Sequence, residues 1–117
     1  MTPEKLHIVP KGWGFEKWIV NNEKYCGKLL YIIKDRKCSV HFHKLKAETF
    51  FLHSGKIILR YGSLNDPKLT EVILSRGDHF HVPQFLVHQM IALEDTELFE
   101  FSTQHFDEDS YRIEKGD

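Results

Sequence analysis

No stretch of this chain stays apolar for anything near the roughly 20 residues a membrane helix needs, and no segment holds a helical period for long. A membrane-spanning helix and a helical bundle are therefore not expected. An excess of charge of one sign is missing too: 16 Lys and Arg stand against 17 Asp and Glu, with no basic block. Nothing in that balance recruits nucleic acid. Cysteine is scarce, with only Cys26 and Cys38. The opening residues carry no apolar run after their charges, so no signal peptide is expected and a reducing, cytoplasmic setting is. No fixed-period repeat and no low-complexity linker divide the chain. At 117 residues it is too short for two comfortable cores, so one domain over 1–117 is expected.

What is present is a series of short alternating runs separated by turn formers. Leu6, Ile8 and Val9 suggest an edge strand stopped by Pro10, and Gly12-Trp13-Gly14 a turn into an aromatic strand ending near Val20. Further strands are expected over Lys24–Lys34, Cys38–His43, from Glu48, and over Lys56–Tyr61, Leu69–Leu74, His79–Val82, Gln89–Leu93 and Glu97–Phe101. Asp35-Arg36-Lys37, Ser54-Gly55, Gly62 to Pro67, Arg76-Gly77-Asp78 and Glu94-Asp95-Thr96 supply the turns. Residues past Gln104 read as a C-terminal tail. Many short strands at near-regular spacing indicate an all-β sandwich or barrel. Trp13, Trp18 and the phenylalanines are expected mainly in its core, and His53 and His105 on its surface.

The chemistry concentrates at His41-Phe42-His43-Lys44-Leu45-Lys46-Ala47-Glu48. Residues two apart on a strand share a face, so His41 and His43 project together. Glu48 lies five positions beyond His43, and Lys44–Ala47 must turn the chain for the three to converge. With His88 from another strand, they form a candidate shell for one divalent transition metal, leaving positions for water or substrate. Imidazole and carboxylate admit iron, manganese, zinc, nickel or cobalt. A second pair, His79 and His81, has no carboxylate or cysteine at ligand spacing; His81 is expected to line the cavity instead.

From His41 the chain reads H-x-H-x4-E-x6-G to Gly55, and Gly77-x5-Pro83 leads on to His88. These segments resemble the two signature motifs of the cupin family, with Asp35, Phe85 and Ala92 where the family has glycine, glycine and asparagine. The resemblance implies a single-domain jelly-roll barrel with the metal in its mouth, and a homodimer, which the apolar N-terminal segment and open sheet edges also suggest.

Lys11-Gly12-Trp13-Gly14, the Tyr25–Ile33 strand, Ala47-Glu48, and the tail from Leu98-Phe99-Glu100 to Asp109–Glu114 resemble a narrower group, the type II mannose-6-phosphate isomerase cupins. That group carries a proline at Gly12 and glutamine at His41. The likeness implies carbonyl isomerisation of a sugar or sugar phosphate, with Glu100, Glu97, His81 and Tyr31 as candidate proton carriers. Lys28, Arg60 and Arg112 are candidates to meet a phosphate or carboxylate. A non-haem iron dioxygenase and a binding module without turnover are the other classes this ligand set allows.

Overall fold

The computed structural model describes residues 1–66 and 68–117; Pro67, the end of the expected Gly62–Pro67 loop, lies outside the described residues. The strands are β1 His7–Lys11, β2 Gly14–Asn21, β3 Cys26–Ile32, β4 Val40–Phe42, β5 Glu48–Ser54, β6 Lys56–Gly62, β7 Thr70–Ser75, β8 His79–Val82, β9 Val87–Ala92, β10 Thr96–Ser102 and β11 Tyr111–Glu114. They pair antiparallel in two sheets, a six-stranded one ordered β1-β2-β3-β10-β5-β8 and a five-stranded one ordered β11-β4-β9-β6-β7. This is the all-β jelly roll the motifs imply. No helix among the described residues is long and apolar enough to cross a membrane.

Alternation along the strands divides the interior lengthwise. Lys28, Leu30 and Ile32 on β3 face inward, as do Glu48, Phe50 and Leu52 on β5, Leu98 and Glu100 on β10, and His88, Met90 and Ala92 on β9. Each strand passes from polar to apolar along the barrel. One end is packed with Ile32, Leu52, Ile57, Leu59 and Leu98, and burying such side chains stabilises by roughly 1.5–3 kcal/mol each. The other end keeps its polar side chains around a cavity. Register aligns His7, Trp18, Lys28, Glu100, Phe50 and Phe80 in one row across the six-stranded sheet.

Three expectations change. β1 runs through Pro10 to Lys11, because it is an edge strand and a missing N–H on the unpaired side breaks no ladder bond. The Cys38–His43 strand shortens to Val40–Phe42, and His43 already belongs to the turn. The tail does not hang free: after a 3-10 turn at Asp107–Asp109 it forms β11 against β4, and Asp117 exchanges hydrogen bonds with the Lys37 backbone at 2.8 and 2.9 Å.

At Gly55, φ is +95° and an added Cβ would strike the Asp95 carbonyl, which explains the motif glycine in the β5–β6 turn. Asp35 and Phe85, two of the positions where the chain departs from the motif glycines, keep the left-handed backbone at φ 69°. Asparagine and aspartate adopt that region readily, whereas a phenylalanine is strained there.

Candidate metal centre

The five-stranded sheet brings three histidines together. His41 on β4 and His88 on β9 are cross-strand partners with ring centroids 4.4 Å apart, and His43, just past β4, completes the group. One ring nitrogen from each lies within 4.8 Å of the others. Glu48 arrives from the opposite sheet: its Oε2 is 3.3 Å from His43 Nε2 and 3.2 Å from His88 Nε2.

The orientation of each ring is fixed from behind. His41 Nδ1 donates to the Ser39 carbonyl at 3.0 Å, His43 Nδ1 to the Asp109 carbonyl at 3.0 Å, and His88 Nδ1 to the Leu86 carbonyl at 2.9 Å. A carbonyl can only accept, so Nδ1 carries a proton in all three, and in the neutral ring Nε2 is the nitrogen that keeps the lone pair. The turn that bends Glu48 back is held by the buried Asp109 carboxylate, which accepts from the backbone N–H of Lys44, Leu45 and Lys46 at 2.9 to 3.2 Å.

These residues fit a divalent metal. Glu48 Oε2 and His88 Nε2 are buried and have no hydrogen-bond partner among the described residues. Both are acceptors, so neither can satisfy the other; a cation between them does. Burial, reinforced by the neighbouring His88 and His43, holds the His41 pKa well below the usual imidazole range and keeps its lone pair free. Burial would raise the Glu48 carboxyl, but the Lys46 ammonium, His43 and His88 beside it together outweigh that and hold the pKa well below the carboxylate range. His41, His43, His88 and Glu48 could thus hold the metal through nitrogen and oxygen, a set suited to several first-row ions.

Beside them lies a buried ion network that sequence reasoning did not assemble. Lys46 Nζ meets Glu48 Oε1 at 3.4 Å, Glu100 Oε2 at 3.0 Å and His105 Nδ1 at 3.1 Å. Burial opposes its charge, yet the two carboxylates raise its pKa and keep it an ammonium. Ser102 Oγ also donates to Glu100 Oε2, at 3.0 Å. Burial first, then the Glu48 charge, raise the Glu100 pKa, with Lys46 and Lys28 opposing. His105, expected on the surface, lines the cavity; burial and the Lys46 and Lys28 charges lower its pKa to about 4. Only the even spacing of Lys46, Glu48 and Phe50 hinted that Lys46 points inward with Glu48.

The cavity has a volume of about 720 Å³ and includes His41, His43, Glu48, Lys28, Glu100 and Arg112 in its walls. Four expected residues are elsewhere. Tyr31 alternates with the inward Leu30 and Ile32 and stacks outside on Phe15 at 5.1 Å. His81 faces solvent beside Thr49, 3.1 Å from its hydroxyl, because its neighbours Phe80 and Val82 take the core side of β8. Arg60, next to the inward Leu59, reaches Gln89 at 2.7 Å and Glu71 at 3.3 Å on the outer face. Glu97 likewise points out, accepting from Ser54 at 3.2 Å. Trp18 belongs to the cavity wall rather than the core.

Comparison with solved structures places the fold. CapF, the capsular polysaccharide assembling protein of Staphylococcus aureus, is similar at TM-score 0.83 and 19% identity, over 96% of this chain and 35% of that one. A tryptophan-to-tyrosine variant of oxalate decarboxylase from Bacillus subtilis gives 0.81 and 15% over 92% of this chain, which spans only 30% of that one. KdgF from Halomonas sp. gives 0.74 and 16%, with 90% of each chain covered. No curated protein matches in sequence. The Cupin family profile matches residues 7–112, nearly the whole chain, and this protein belongs to the cupin family.

Proposed function

We propose that this cupin is a metal-dependent enzyme acting on a small oxygen-rich substrate, a sugar or sugar phosphate isomerase resembling the type II mannose-6-phosphate isomerase cupins. The observation that carries the reading is a buried carboxyl, Glu100, standing in the same cavity as the histidine cluster. When bound, a divalent metal supplies Lewis-acid polarisation of neighbouring carbonyl and hydroxyl oxygens. B. subtilis oxalate decarboxylase, alike in fold at 17% identity, has Mn(II) centers.

The remaining chemistry falls to the chain's own groups. Lys46 and Ser102 both bind Glu100 through Oε2. No hydrogen bond to Oε1 occurs among the described residues, so that oxygen is the one free to take a proton from a substrate carbon and return it to the next. The raised pKa suits a group that must both accept and release a proton. Lys46 holds the carboxylate in place, and the apolar layer of Phe50 and Met90 beneath limits water.

The test is an anaerobic NMR assay of metal-loaded protein with aldoses, ketoses and their phosphates. Isomer formation is expected, abolished by chelation. Glu100→Gln should lower kcat by roughly 10²–10⁴-fold with little change in KM, as for a lost acid–base group. Substrate-dependent oxygen uptake in air with no isomer in the panel would replace this reading with a dioxygenase.

A further inference from the structure

Two lysines are buried in the cavity wall, and their surroundings differ. Lys46 hydrogen-bonds Glu100 and His105 and is also ion-paired with Glu48 at 3.4 Å. Lys28, only 1% exposed, has Glu16 Oε1 at 3.5 Å and no hydrogen bond to its Nζ among the described residues. Glu16 Oε1 also accepts a shorter hydrogen bond from Trp18 Nε1, at 2.8 Å. The Lys28 ammonium lies 4.2 Å from the centre of the Trp18 ring, which attracts the charge but accepts no conventional hydrogen bond. A charge taken out of water needs partners for its protons, and Lys28 lacks most of them.

We propose that Lys28, backed by Trp18, is the anion-binding subsite of the cavity, receiving the carboxylate or phosphate at the far end of the substrate. The proposal rests on the reading of the cavity as an enzyme site and adds the substrate class: a sugar acid or sugar phosphate rather than a neutral sugar. Position supports a ligand of that length. Lys28, Glu100 and Phe50 stand in register on β3, β10 and β5, which separates Lys28 from β5 by two strand spacings, roughly 10 Å. Glu48 is two residues along β5 from Phe50, on the same face. An open six-carbon chain with a terminal anion fits between Lys28 and the histidines, passing the free oxygen of Glu100. A lysine meets the anion as a point charge, so carboxylate and phosphate are both suitable.

Binding can be read without turnover. Because Lys28 covers Trp18, tryptophan fluorescence and calorimetry of the metal-loaded full chain report an anion arriving there. The probes are glucuronate, glucose 6-phosphate and neutral glucose. One anionic probe should bind about tenfold or more tightly than glucose, and the tighter one names the headgroup. Lys28→Met should remove the advantage over glucose, while Lys28→Arg should retain most of it. Unchanged cobalt binding and circular dichroism show that the Met variant keeps the fold; should it not fold, Lys28→Gln replaces it. Equal binding of all three probes to the parent chain, or an anionic advantage that persists in a folded neutral variant, overturns the proposal. Lys28-dependent binding with no isomer formed would instead leave the subsite standing and remove the isomerase reading.

Discussion

The tripeptide His-Phe-His occurs twice in this chain, and the two copies face opposite ways. At 41–43 both imidazoles enter the cavity and Phe42 stacks outside on Tyr111, with ring centroids 5.1 Å apart. At 79–81 the phenylalanine turns in, 5.1 Å from Tyr61, and both histidines are exposed. A strand's alternation fixes which residues share a face, and a shift of one residue exchanges the faces. Val40 and Val82 lie in phase with the respective phenylalanines, so the local apolar pattern is the same in both copies. What differs is the company kept: His41 is paired across the sheet with His88, whereas Phe80 and His81 are paired with Phe50 and Thr49.

If that difference makes one copy a metal site, damage to the inward copy should be large. His88→Ala removes one of the converging lone pairs and should weaken zinc binding by roughly a hundredfold or more, measured by competition with a chromophoric chelator. Asp109→Asn should be next. Its carboxylate fixes the 44–46 turn and its carbonyl lies against His43, and an amide presents N–H groups to donors. Metal affinity should fall by about 10–100-fold, and urea unfolding should show a loss of about 1–3 kcal/mol.

Acid separates inward from outward histidines in the chelated protein. His105 faces Lys46, Lys28 and Asp107, and its pKa in the fold is about 4 against an ordinary 6.5. Between those values the unfolded chain binds the proton and the folded one does not. Stability is therefore lost as pH falls from about 6.5 toward 4. Urea midpoints at pH 7.5, 5.5 and 4.5 should fall more steeply in the parent than in His105→Gln. The smallest effect belongs to the outer copy: His79→Ala and His81→Ala should each stay within about 0.5 kcal/mol of the parent and leave zinc affinity unchanged.

The fold and the converging set were legible because they are carried by spacing: His41 and His43 two apart, Glu48 after a turn, His88 after Pro83. The orientation of the second tripeptide was not, and His81 was expected inside, because alternation is silent about which face is the core. Tyr31 and Arg60 fail for the same reason, each lying one residue from an inward leucine. Asp109 was hidden by distance along the chain: one of three consecutive acidic residues in a polar tail shows no sign that it will cap a turn more than sixty residues earlier. Lys46 and His105 were passed over because charged residues beside turns are usually solvated. Phe85 keeps the glycine-like backbone of the motif position it replaces, with its N–H on the His43 carbonyl at 2.7 Å.

The most direct measurement is an anomalous difference map from crystals of the protein grown with zinc, recorded on both sides of the zinc edge. One strong peak is expected, with Nε2 of His41, His43 and His88 and a Glu48 oxygen at about 2.0–2.2 Å. A peak bound instead at His79 and His81, or none at the four inward residues under saturating zinc, would contradict the assignment of the centre.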